Sequence, residues 1–281
     1  MFSRSERYTF KNVLRKFREL GPITLTLLLT KFAFHRLFPF ERRDPYFRRK
    51  FGLELGNKFD WRIRYGPFNG LLLRPDLTWA RNDLPSLLLG LYESQVVREI
   101  IDLAPGRESF VDIGSADGFY AAGILRFTPI KNALCYDLSV KSQESTKKTL
   151  MDNAIIKPFW IKGKADENLV ADMKACGIDP AKSLILCDTE GDELRMFRIL
   201  ELGEFGQSIF IVEIHSHVYG LSGKLELLEL FSSTHQTRVI NGVSRNLEGI
   251  LELDELPDDL KWRVCSEGRP QAMEWLIAIP K

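Results

Sequence analysis

Cysteine is scarce in this 281-residue chain: four residues, Cys135, Cys176, Cys187 and Cys265, with no CxxC pair and no regular spacing. That scatter excludes a disulfide framework or zinc knuckle and points to a reducing compartment. An unbroken apolar run of membrane-spanning length is also missing. The longest candidate, "PITLTLLLTKFAFHRLFPF" over 22–40, is interrupted by Lys31, His35 and Arg36, short of the roughly 20 apolar residues a spanning helix needs. No small-residue cleavage site follows it, so neither a transmembrane segment nor a secretory signal is expected, and a cytoplasmic location is. Internal repeats and low-complexity tracts are lacking too. What remains is 44% hydrophobic and 27% charged, the composition of a globular chain able to bury a sizeable core.

The formal net charge of +1 is an average over two unlike parts. Residues 1–50 hold thirteen Lys/Arg against four Asp/Glu, so the remainder is net acidic. The same fifty residues carry ten aromatics, and Leu25, Leu28, Leu29 and Phe32 fall at helical spacing. A basic, aromatic, amphipathic start suits a packing arm or self-association element, a contact with the inner face of an anionic membrane, or a grip on a polyanion.

Residues 51–82 read as a connector with strand-like pieces, "DWRIRY" and "LLLRP", between turn signals. From Leu84 a helical pattern runs to Pro105-Gly106. Beyond it strands and helices alternate. Strands are expected at 109–113, 132–137, 156–162, 183–188 and 208–214, with helices at 117–127, 141–153, 166–176, 191–202 and 222–232. Such alternation implies crossover units and a mostly parallel sheet with helices on both faces. Two more strands, "QTRVINGV" and "MEWLIAIP", would close it with an antiparallel strand, giving the Rossmann-like sheet of about seven strands found in class I methyltransferases. The expected organisation is an extension and connector over 1–82 and an α/β domain over 83–281.

In open α/β sheets a ligand sits outside the carboxyl ends of the strands. "FVDIGSADGFY" ends such a strand with Asp112, turns at Gly114 and Ser115, and reaches Gly118 as a helix begins. The spacing Asp-x-Gly-x-x-x-Gly differs from the dinucleotide fingerprint, so a nucleoside with a short amino-acid tail fits better than NAD, its carboxylate favoured by the helix N-terminus. Asp137 ends the second strand 25 residues after Asp112, where an acid accepts from ribose hydroxyls. Ala165 and Asp166 end the third and are placed for an adenine edge; Asp166 is equally a helix N-cap.

The fourth strand runs into "CDTEGDELRMF". Together with "FVDIGSADGFY", "LYESQVV" and "IFIVEIHSH", this stretch resembles the FkbM-type S-adenosylmethionine-dependent methyltransferases over about residues 90–217. The resemblance implies methyl transfer from S-adenosylmethionine, usually to oxygen. It places Asp112, Gly114, Ser115 and Gly118 at the methionine end, Asp137 at the ribose, Ala165 and Asp166 at the adenine, Asp188 near the sulfonium and Glu93 close to the cofactor. The chain departs from the family in Ser115-Ala116-Asp117, where an Ala-Asn pair is common, and in Asp137, where glutamate is usual.

An alcohol acceptor needs a base and a site that holds its oxygen in line with the methyl group. Glu213, His215 and His217 share one face of an extended fifth strand. His215 is the expected general base, because imidazole titrates near neutral pH, with Glu213 orienting it and Asp188 alongside. Asp188, Glu190 and His215 are also candidate Mg²⁺ ligands. The preferred alternative is that Glu190, Asp192 and Glu193 are first-turn helix acids. The expected acceptor is a hydroxyl of a sugar, glycan precursor or similar small molecule. A nucleic-acid methyltransferase using the basic arm, and a non-catalytic cofactor-binding module, are the other readings.

Overall fold

In this computed structural model the described residues are 40–79, 82–241, 245–267, 269 and 273–281, with side chains described from 45 onward. Residues 22–39 of the apolar run and most of the basic start lie outside them. Residues 48–281 form one compact unit. No helix of the described residues is long and apolar enough to cross a membrane.

Seven strands form one sheet: β1 (Ser109–Ile113), β2 (Asn132–Tyr136), β3 (Phe159–Lys162), β4 (Ser183–Cys187), β5 (Ile209–Ile214), β6 (His235–Asn241) and β7 (Glu274–Pro280). Their order is β3-β2-β1-β4-β5-β7-β6, with β7 antiparallel to both neighbours and the other pairs parallel. This is the class I methyltransferase sheet. β1, β4 and β5 are buried along their whole length, so their apolar residues serve both faces. Phe110, Leu184 and Ile211 pack into one core, and Val111, Ile185 and Val212 into the other.

The helices are α1 (Phe40–Lys58), α2 (Leu84–Leu88), α3 (Ser94–Leu103), α4 (Phe119–Phe127), α5 (Val140–Asp152), α6 (Leu169–Ala175), α7 (Glu193–Ile199), α8 (Ser216–Ser232) and α9 (Asp258–Val264). The single helix expected from Leu84 is two, α2 and α3. Gly90 between them has φ +66°, and a Cβ there would lie 2.0 Å from the Tyr65 carbonyl oxygen, so close backbone approach breaks the helix. The break turns Glu93 into the residue before α3, in a left-handed conformation and 1% exposed. The helix expected from 222 begins at Ser216 instead, passing through a non-helical Gly220.

The connector joins the core. Ile63, Phe68, Leu71, Leu73 and Leu77 are buried in the same cluster as Phe110, with one antiparallel bridge, Arg62 to Leu72, in place of strands. Phe68 lies over Gly123 of α4, where a Cβ would meet its ring at 2.4 Å.

Candidate functional site

A cleft of about 630 Å³ opens at the carboxyl end of the parallel strands, at the point between β1 and β4 where strand order reverses. One wall is Gly114, Ala116, Asp137, Leu138 and Ala165; the other includes Asp188, Glu190, His215, His217 and Arg269.

The first wall is set by backbone geometry. Gly114 has φ +95°, and a Cβ would stand 1.7 Å from the Asp188 carbonyl oxygen, so only glycine fits. Its N–H and that of Ser115 donate to the Tyr136 carbonyl at 2.9 Å each. Ala116 N–H donates to Asp137 Oδ2 at 2.9 Å, and Ser139 N–H to Asp137 Oδ1 at 2.8 Å. Asp137 therefore fixes the loop while facing the cleft. Leu138, 77% exposed, stands beside it.

The remaining expected residues are divided. Gly118 and Ser115 do not line the cleft; a Cβ at Gly118 would meet Thr146 Cα at 2.9 Å, and Ser115 Oγ lies 3.2 Å from Thr146 Oγ1. These two residues serve the packing of α4 on α5. Asp112 is buried below the loop, its carboxyl pushed up to about 8 by burial and then by Asp188 and Asp137. Asp166 turns away from the cleft, Oδ1 accepting from Asn168 N–H at 3.0 Å. Glu93 lies outside the cleft lining, held by Tyr120 and Arg269.

Sequence reading passed over Asp117. Buried beside Gly118, it accepts from Thr78 N–H and Oγ1, from Trp79 N–H at 2.9 Å and from Ser145 Oγ at 2.7 Å. This clamps the connector's end to the glycine loop and brings Trp79 to the cleft. The visible signal was an acid directly before the helix-starting glycine.

The second wall is electrostatic. His215 is 2% exposed, with Nδ1 3.0 Å from Glu193 Oε1 and Nε2 3.5 Å from Glu213, 3.6 Å from Glu190 and 3.8 Å from Asp188. Burial lowers its pKa, but Glu190 and Glu193 outweigh burial and push it up to about 10. These acids favour the imidazolium and so work against the role of base expected of this ring. Glu193 is a first-turn acid of α7, as expected, but a buried one. Fully buried, it accepts from Thr189 N–H at 2.9 Å and Gly191 N–H at 3.1 Å. Asp192, in contrast, pairs with Arg195 at the surface.

The Asp188 and Glu213 carboxyls lie close together, with oxygen atoms within 4.8 Å of one another. Burial and the Asp188 charge push the Glu213 carboxyl up, while loss of solvent raises Asp188 to about 6. Asp188 Oδ1 is buried without a hydrogen-bond partner among the described residues.

Arg269, between α9 and β7, ties this wall together. Its guanidinium bonds Glu93, Glu213 and, through Nε at 2.9 Å, Glu267. Glu267 also pairs with Arg245 at 2.5 Å and accepts from Glu93 N–H at 3.2 Å. Nothing local in the sequence marks these partners, since they stand up to 176 residues apart.

Asp188, Glu213 and His215 have ligand atoms within 4.8 Å of one another. They fit Mg²⁺ poorly. Arg269 already engages Glu213, and Mg²⁺ prefers an octahedron of oxygens.

No family model and no curated protein matches the chain. Among solved structures, it is similar to the O-methyltransferase TomG from Streptomyces achromogenes in complex with SAM, at 10% identity over 83% of this chain and 90% of that one, TM-score 0.49. It is similar to a spermidine synthase in complex with the transition-state analogue AdoDATO, at 14% identity over 68% of this chain, TM-score 0.46, and spans 58% of that protein. A third is the B. subtilis M1A22 tRNA methyltransferase TrmK, at 11% identity over 66% of each chain, TM-score 0.42. At such identities the likeness says nothing of a substrate.

Proposed function

We propose that the chain is an S-adenosylmethionine-dependent O-methyltransferase acting on a hydroxyl of a sugar-like small molecule, as its resemblance to the FkbM type implies. The observation that carries this reading is the pairing, across one cleft, of the Gly114–Asp137 wall with the orphaned Asp188 oxygen. When bound, S-adenosylmethionine supplies an electrophilic methyl group on sulfur. Asp137 is the acceptor for ribose hydroxyls, Leu138 and Trp79 offer apolar surface to the base, and Gly114 leaves backbone room for the tail.

The acid-rich second wall favours a sulfonium cation by charge alone. It also divides the labour of proton transfer. With His215 cationic, the proton-accepting role falls to Asp188, whose pKa of about 6 leaves it ionised yet basic near neutrality. Asp188 becomes neutral on taking the hydroxyl proton, so His215, 3.8 Å away, steadies its ionised form before that step, and Arg269 holds Glu213 in place. The same acids work against phosphate backbones, which disfavours the nucleic-acid reading.

Methyl transfer from labelled S-adenosylmethionine to a panel of neutral glycosides, with and without EDTA, tests this. Transfer that survives EDTA and falls about a hundredfold or more in Asp188→Asn is expected. An Asp188→Asn protein with the parental rate would remove Asp188 from the chemistry.

A further inference from the structure

The cleft does not end at the groups assigned above. It continues to Asp83, Tyr92, Glu267, Arg269 and Met273, contributed by the segments just before α2, α3 and β7. Asp83 stands at the N-cap of α2, where an aspartate ordinarily accepts from a backbone N–H one turn on. Pro85 occupies an early helical position and has no N–H to give, and the Asp83 side chain makes no capping bond. Its Oδ1 is buried and lacks a hydrogen-bond partner among the described residues. An unsatisfied carboxylate oxygen in such a place costs stability. A ligand hydroxyl would recover that cost.

The neighbours of Asp83 narrow the ligand further. Tyr92 brings an aromatic ring to the same cavity, its orientation held by an edge contact with Phe119 at 5.6 Å and 86°. Arg269, with its charge centre 6.0 Å from the Tyr92 ring, is committed to Glu93, Glu213 and Glu267. The guanidinium therefore has no surplus charge for an anion. Glu267 is itself paired with Arg245 and Arg269, and Arg48 and Arg245 also lie near Asp83, so the acids at this end are matched by arginines. A neutral ring rich in hydroxyls finds a carboxylate acceptor and an aromatic face together here.

We infer that Asp83 and Tyr92 form the acceptor subsite and select a neutral, polyhydroxylated ring, a hydroxyl donating to Asp83 Oδ1 while the ring rests on Tyr92. This rests on the methyl-transfer reading above and names the acceptor chemistry for it. Neither residue belongs to the cofactor wall.

The test uses the full chain, with S-adenosylhomocysteine titration beside steady-state methylation of methyl glycosides and of glucose 6-phosphate. Expected are transfer to at least one neutral glycoside, none to the phosphate, and an acceptor KM raised about tenfold in both Asp83→Asn and Tyr92→Leu at unchanged S-adenosylhomocysteine affinity. Tyr92→Leu keeps the test open if one variant folds badly. Unaltered KM in a folded Asp83→Asn, preference for the phosphate, or normal S-adenosylhomocysteine binding with no glycoside methylated overturns the subsite. Absence of S-adenosylhomocysteine binding in the parental protein overturns the methyl-transfer reading instead.

Discussion

The two walls of the cleft are built on different principles. The wall of Gly114, Ala116 and Asp137 comes from loops that directly follow β1 and β2, and its shape is a matter of backbone torsions and of hydrogen bonds between the ends of these neighbouring strands. The opposite wall gathers Asp188, His215, Glu267 and Arg269 from distant segments, and buried Glu93 and Glu213 pair with Arg269 behind it. A wall made by local geometry suits a ligand common to many enzymes of one fold. A wall assembled by a long-range ion network leaves each position free to vary with the acceptor.

The largest expected effect strikes the geometric wall. Gly114→Ala adds a Cβ 1.7 Å from the Asp188 carbonyl oxygen at a φ of +95°, so a loss of more than about 4 kcal/mol in urea unfolding is expected. Near-parental stability would mean that the loop is not set by its backbone. Next comes the charged wall. Arg269→Ala strands Glu93 and Glu213, each buried, and should cost about 3–5 kcal/mol, with Arg269→Lys recovering part. Equal stability of the Ala and Lys variants would show that packing, rather than charge, holds this side.

A smaller effect distinguishes the walls by pH. Burial raises the Asp188 pKa from the usual carboxylate range to about 6. A base works when deprotonated, so kcat/KM should fall as pH drops through about 6, while S-adenosylhomocysteine affinity changes less over the same range. A flat activity profile between pH 5 and 7 would relieve Asp188 of that role.

The same contrast explains what could be read from residues alone. Parallel strands buried on both faces are continuous apolar runs, which is why Ser109–Ile113 and Ser183–Cys187 stand out. The glycine loop and Asp137 were legible because each directly follows an apolar strand, although the bond that joins them spans 21 residues. Gly90 was not, because its reason is the Tyr65 carbonyl in the connector. Asp83, Asp117, Glu267 and Arg269 look like surface charge until the fold buries them. His215 was visible as a histidine at a strand end, but its proton depends on Glu190 and Glu193 closing around it. No spacing rule reports that.

The central claim, that the geometric wall holds S-adenosylmethionine, is tested most directly by calorimetric titration with S-adenosylhomocysteine, beside an Asp137→Ala variant and an NAD control. The account predicts micromolar binding of S-adenosylhomocysteine, none of NAD, and loss of binding in a folded Asp137→Ala protein. No heat from S-adenosylhomocysteine in a folded parental sample, or equal binding by the variant, would contradict it.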